Sequence, residues 1–260
     1  MKLALLLGLL SSVGWSWTHV GNNIRGWKEQ PVTFYVNYSN CPLSESEIND
    51  IIDQAIKSWN GVTDSKLVVG RAETSTTVAS FLNKTAVKLP VILCDPSFAT
   101  QIGNSAVNVV PAATFFSQTD NDGNLIYSGV LLNAQNGAAA NIANLSRGQV
   151  ELTLAHEMGH ALGLGHSSIP EALMYFSLGD KQLPLLTEDD IDGIAHIYPR
   201  NEFTGGLLGC AAVHSIASSQ SDTAITRGLS PIVLMIFLNW IFGRLLFRKN
   251  KSRTILERPL

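Results

Sequence analysis

Charge, cysteine and long apolar runs are all in short supply in this 260-residue chain, and each shortage excludes a class of protein. Charged residues make up 15% of the sequence against 45% hydrophobic ones. A disordered chain shows the opposite balance, with few apolar groups and a high net charge. Three cysteines are too few for a disulfide scaffold. The 18 Lys and Arg stand against 21 Asp and Glu, a formal net charge of −3 with no basic stripe, which argues against nucleic acid as a partner. Long apolar runs occur only near the two ends, so the chain does not read as a polytopic membrane protein. What remains is one well-filled domain with attachments.

The attachments come first. Met1-Lys2 followed by LALLLGLL gives a positive start and a short apolar stretch, with the small residues Ser12, Gly14 and Ser16 behind it. That is the pattern of a secretory signal peptide, assigned to residues 1–16. At the other end, residues 229–247 read LSPIVLMIFLNWIFGRLLF. At a rise of ~1.5 Å per residue, such a helix reaches about 28 Å, enough to cross hydrocarbon. Arg248, Lys249, Lys251 and Arg253 follow, so residues 248–260 are expected to form a basic cytoplasmic tail. Residues 201–228, rich in Gly, Ala, Ser and Thr, read as a flexible linker. Cys210 within it is either a free thiol or part of a segment loosely similar to bacterial C-terminal sorting signals.

These ends place a domain over residues 17–200 outside the cytoplasm, held by a single C-terminal span or secreted after C-terminal processing. Disulfides persist there, and Cys41 and Cys94 are natural partners. Asn37, Asn83 and Asn144 head N-x-S/T sequences, relevant where the host glycosylates.

Within the domain, PVTFYVNYS (31–39) alternates as a half-buried strand does. Ser44 and Glu47 fit a capping box before Ile48, Ile52, Ala55, Ile56 and Trp59, an apolar stripe at helical spacing. SKLVVGRAE, TVASFLN, AVKLPVILC and SAVNVVPAATFF supply strand candidates. QTDNDGNLIYSGVLLNAQ reads as a hairpin turning at Asn121-Asp122-Gly123. Asp120 and Asp122 there could offer oxygens to Ca2+, although paired aspartates commonly serve the turn itself. Ser146 and Gln149 cap a second helix, and Thr187 begins a third that is acidic in its first turn and stopped by Pro199. Strands first and the longest helices late predict an α+β domain with a mixed sheet and about three helices.

The chemistry concentrates in His156-Glu157-Met158-Gly159-His160-Ala161-Leu162-Gly163-Leu164-Gly165-His166. On a helix, residues four apart lie one above the other, so His156 and His160 can bring two imidazole nitrogens to one Zn2+. Glu157 is rotated by about 100° from His156, which puts its carboxylate beside the metal rather than on it. A base must sit there to take a proton from water. Gly163 lets the chain leave the helix and return His166 as a third ligand. Three neutral imidazoles leave one coordination position open, as catalytic zinc requires.

HExxHxxGxxH followed by a methionine turn resembles the metzincin signature. The turn is Ala172-Leu173-Met174-Tyr175, and the resemblance implies that Met174 forms a hydrophobic floor beneath the metal. Ser167, the HSSIPEALMY spacing and LTEDDIDGIAHIYP are most similar to the matrixin branch, the matrix-metalloproteinase type. The similarity covers roughly residues 27–199, strongly from Ser146 onward. It implies a zinc-dependent metalloendopeptidase of the extracytoplasmic type described above, acting as a monomer on protein or peptide substrates. It also implies substrate pairing with an edge strand, matched here to Gly129, Val130, Leu131, Leu132 and Asn133.

Departures are equally specific. No histidine lies between Val20 and Ala155, so a second, structural zinc is not expected, nor are a cysteine switch, a propeptide or a hemopexin-like repeat. Position 176 is phenylalanine, which excludes the tyrosine ligand of the astacin and serralysin branches. His19, His196 and His214 are read as ordinary histidines. Two other readings remain: a zinc-containing binding or adhesion module without turnover, and hydrolysis of a non-peptide bond.

Overall fold

The computed structural model describes residues 17–21, 24–84 and 88–200. The signal peptide, linker, membrane span and tail expected at 1–16, 201–228, 229–247 and 248–260 lie outside the described residues. Among the described residues no helix is long and apolar enough to cross a membrane.

In chain order the elements are β1 (Arg25–Trp27), β2 (Val32–Asn37), α1 (Glu45–Asn60), β3 (Val69–Glu73), α2 (Val78–Leu82), β4 (Pro90–Asp95), α3 (Ala99–Ile102), β5 (Ala112–Thr119), β6 (Asn124–Asn133), α4 (Arg147–Leu162) and α5 (Glu188–Ile197). The sheet runs β1-β6-β4-β2-β3 with β5 paired to β6. Every pairing is parallel except β5 with β6, which are joined by a tight turn. This is the mixed sheet of an α+β domain. Five helices rather than three accompany it, because α2 and α3 are short pieces of five and four residues.

Burial follows from alternation. Val36, Ile92, Val130 and Leu132 join the core formed with α1 and α4. Val91, Leu93 and Leu131 turn to the other face, against Phe81 and Phe98. All six residues of β4 are buried, as a strand covered on both faces demands. α1 presents Ile48, Ile52, Ala55 and Trp59 to the sheet and to α4. The Trp59 indole Nε1 donates to the Ala155 carbonyl at 2.9 Å, which fixes the register between the two helices one residue before His156. Cys41 and Cys94 form a disulfide with Cα atoms 5.0 Å apart, joining the start of the α1 region to β4 across 53 residues. A loop of that size gains about 4 kcal/mol in the chain-entropy account.

Two expectations are corrected. TVASFLN is helical over Val78–Leu82, because Thr77 and Ser80 cap each other reciprocally and start a helix. More consequentially, Gly129, Val130, Leu131, Leu132 and Asn133 do not form an edge. They pair with β4 on one side and with β5 on the other. Gly129 is hemmed in by the packing of that interior: a Cβ there would come 2.5 Å from Phe81 Cζ and 2.6 Å from Val91 Cγ2. The outer strand is β5, whose only partner among the described residues is β6. At the hairpin turn, Asp120 Oδ1 accepts from the Asp122 and Asn124 amides and Oδ2 from the Asn124 side chain, so this carboxylate serves the turn.

Candidate active site

α4 begins with the reciprocal cap of Ser146 and Gln149 and ends at Gly163, whose φ of +114° is left-handed. A residue with a Cβ would be strained there, and the reversal returns the chain to the face of α4 that carries His156 and His160. The outcome is convergence. One ring nitrogen from each of His156, His160 and His166 lies within 4.8 Å of the others, and the Nε2 atoms of His160 and His166 are 3.2 Å apart.

Backbone carbonyls set the tautomers. His156 Nδ1 lies 2.7 Å from Leu173 O, and His160 Nδ1 lies 2.7 Å from Leu164 O. A carbonyl can only accept, so both Nδ1 atoms carry the proton and both Nε2 lone pairs are directed elsewhere. Burial lowers the pKa of His156 to about 4, with the His166 ring adding to the effect and the Leu173 carbonyl opposing it. Burial and then His156 push His160 down to about 3. His166 is lowered by burial as well. At neutral pH the cluster therefore presents three uncharged imidazoles, a donor set that fits Zn2+ and leaves room for a fourth, exogenous oxygen.

Glu157 extends from the same helix beside this cluster. Its Oε2 accepts from the Thr114 hydroxyl on β5 at 2.7 Å, and the same hydroxyl is 2.8 Å from the Glu157 carbonyl. Burial raises the carboxyl pKa to about 7 in the metal-free protein, against the opposing pull of the Thr114 bonds. A carboxyl with that pKa can hold or release a proton near neutrality. Thr114 was not identified from the sequence; the contact joins residues 43 apart and has no local signal.

Below the cluster, Met174 is 1% exposed and packs on Gly159. Its turn is held from α5. Asp190, fully buried, accepts from the amides of Leu173 and Met174 at 2.9 Å and from the amide and hydroxyl of Thr187 at 2.8 and 2.9 Å. The Leu173 carbonyl then receives His156, so one carboxylate on α5 supports a ring on α4. A second support is a strap at 17–21, also missed in the sequence. Thr18 Oγ1 donates to His166 O at 2.9 Å, Gly165 N to Thr18 O at 2.6 Å, and Val20 N to Gly163 O at 3.0 Å.

A cavity of about 760 Å³ opens beside His156 and Glu157, with Val110, Leu145, Leu152, Phe176 and Lys181 among its walls. Phe176 is 67% exposed and carries no donor atom for a metal. The Lys181 ammonium donates to Pro170 O at 2.7 Å and stands 5.5 Å from the centre of the Tyr175 ring, tying down the segment after His166. His19 and His196 pack with Trp17, away from the cluster, and His214 lies outside the described residues.

Comparison with known proteins agrees with this geometry. Residues 109–199 match the family model described as Matrixin. The chain is 60% identical to matrix metalloproteinase-9 of Canis lupus familiaris over 52 residues, covering 20% of this chain and 7% of the relative. It is 36% identical to metalloendoproteinase 4-MMP of Arabidopsis thaliana over 97 residues, 35% of this chain and 28% of the relative. With matrix metalloproteinase-27 of Homo sapiens it is 26% identical over 181 residues, 68% of this chain and 31% of the relative. The aligned parts thus span less than a third of these relatives' length. Together, the family match over residues 109–199 and these partial similarities support a matrixin-type catalytic domain.

Proposed function

We propose that this chain is a zinc-dependent endopeptidase in which His156, His160 and His166 hold the metal and Glu157 is the general base. The observation that carries the proposal is the convergence of three neutral imidazoles beside a buried carboxylate at the mouth of a cavity. A zinc ion there would supply Lewis acidity, polarising the scissile carbonyl and making water acidic enough to ionise near neutral pH. Glu157 accepts the proton as the water oxygen attacks the carbonyl carbon, then delivers it to the departing amine as the C–N bond breaks. Thr114 keeps that carboxylate in place, and Met174 fills the space beneath the rings.

The substrate strand is assigned to the outer edge of β5, antiparallel sheet growth being the natural way to extend a hairpin edge. A side chain next to the scissile bond would enter the 760 Å³ cavity, whose walls combine Val110, Leu145 and Leu152 with Gln149, Thr153 and Lys181. The same proposal has the domain outside the cytoplasm, which the signal-like residues 1–16 and the disulfide support, and held on a membrane, which the apolar residues 229–247 support.

The test is casein digestion by the purified full-length chain. Cleavage that stops with a zinc chelator, returns with added Zn2+ and is abolished in Glu157→Gln is the expected result. A zinc-loaded protein that cuts neither casein nor a random peptide library would point to a binding module instead. Membrane attachment is tested separately by fractionating the full chain against one ending at residue 228; equal solubility would remove the anchor.

A further inference from the structure

The edge strand does more than offer backbone to a substrate. In β5, Ala112 packs with the helix-side core, whereas Ala113 and Phe115 pack against the opposite face. Thr114, between two residues of that second set, is therefore directed at α4, and its hydroxyl meets the Glu157 carboxylate beside the histidine cluster. An alanine or valine at this position would satisfy the strand equally well. A hydroxyl there is chemistry beyond packing.

Resting on the peptidase reading above, we propose that Thr114 is a positioning residue for Glu157: its hydroxyl pins Oε2 to the edge strand so that Oε1 is presented to the reacting water. Two distances carry the assignment, 2.7 Å to Oε2 and 2.8 Å to the Glu157 main-chain carbonyl. The carbonyl fixes the hydroxyl on the helix at the residue it serves. The carboxylate contact then restricts a side chain that otherwise has three rotatable bonds and a cavity to swing into. A single hydroxyl proton is shared between the two acceptors, so donation strengthens toward whichever oxygen carries more negative charge. The substrate strand and the residue that holds the base are on one element, so binding along β5 sets the base and the scissile bond in a common frame.

The same argument explains why the contact matters to rate rather than to affinity. Thr114 reaches α4 through its hydroxyl, which the main chain of β5 does not need for its pairing with β6. Removing the hydroxyl leaves the strand edge intact, whereas a misplacement of the base by a fraction of an ångström to 1 Å costs up to about a hundredfold in turnover.

The experiment uses zinc-loaded full-length protein with Thr114→Val and Thr114→Ser. Val keeps the branched shape without the hydroxyl, and Ser keeps the hydroxyl without the methyl. The expected outcome is a fall in kcat of at least about tenfold in the Val variant with KM within about twofold, and recovery to within about threefold of wild type in the Ser variant. A second readout needs no turnover: thermal midpoints of metal-free wild type, Thr114→Val, Glu157→Ala and the double variant, in which the two single effects should be non-additive. Unchanged kcat in the Val variant, or additive midpoints, would overturn the role of Thr114. A wild-type protein that binds zinc and cuts nothing would instead defeat the peptidase reading, and the midpoint cycle would still report on the contact.

Discussion

Gly159 and Met174 meet beneath the histidine cluster with no space for a side chain between them. A Cβ on Gly159 would overlap Met174 Sδ and stand 2.8 Å from Trp59 Cζ2. Neither neighbour is free to retreat, since Met174 is buried and Trp59 is fastened through its indole to Ala155 O. Gly159→Ala gains about 1 kcal/mol of helix propensity but costs about 1–3 kcal/mol by overpacking. The expected result is a lower melting temperature, on a scale of about 2–4 °C per kcal/mol, together with weaker zinc retention. A melting temperature that holds or rises would show that the methionine floor can shift.

Asp190 acts on the histidine cluster from a distance. It accepts from four donors, one of them the amide of Leu173, whose carbonyl orients His156. Asp190→Ala strands these donors in the interior, at about 1–3 kcal/mol for each one left unpaired. It also releases the turn that fixes the His156 tautomer. Zinc affinity should fall by about 10–100-fold, the usual cost of losing an outer-shell partner. Competition with a chromogenic chelator measures this directly. Undiminished affinity would mean that the Met174 turn keeps its shape through packing alone.

The convergence of the three histidines was legible in the sequence because its geometry is local. Two histidines four apart on a capped helix, a glycine at the exit and a third histidine three residues later need little more than helical periodicity and one left-handed residue. The edge of the sheet was not legible. Residues 124–133 and 112–119 both read as strands, and which of them ends up outermost depends on pairing with β4, some thirty residues or more away in the chain. Thr114 and the 17–21 strap were missed for the same reason. α2 is a different kind of miss: its reciprocal Thr77–Ser80 cap was a local signal, outweighed by the β-branched and aromatic residues beside it.

The strap gives a test of how far support for His166 extends. Gly165 packs so closely on it that a Cβ would lie 2.5 Å from His19 O, a backbone atom with no rotamer to escape into. Gly165→Ala should push residues 18–20 off the 163–166 loop. The Val20 amide, bonded to Gly163 O, and the Gly165 amide, bonded to Thr18 O, should then exchange with solvent faster by about tenfold or more. Thr18→Val removes only the hydroxyl bond to His166 O and should affect the same amides less. Identical protection in wild type and Gly165→Ala would show that the strap does not hold the loop.

Glu157 makes the stability of the metal-free protein depend on pH in a direction that can be worked out. Its folded pKa of about 7 stands above the ordinary carboxyl value of 4.5. Between those values the folded chain keeps a proton that the unfolded chain has released. The contribution is therefore fully present below about pH 4.5 and is lost as pH rises through about 7. His156 and His160 work in the opposite sense: depressed to about 4 and about 3 from 6.5, they stay neutral in the fold while the unfolded chain takes up protons, so stability falls as pH drops below 6.5. Glu157→Gln leaves the histidines in place and removes only the carboxyl. In chelator-treated samples, the melting temperature of the Gln variant minus that of wild type should climb from pH 4.5 to 7 and level off above it. A difference that stays flat across that range would mean the folded carboxyl titrates as if in water. Zinc should reverse the trend for wild type, because a cation beside Glu157 favours the charged carboxylate that burial alone disfavours.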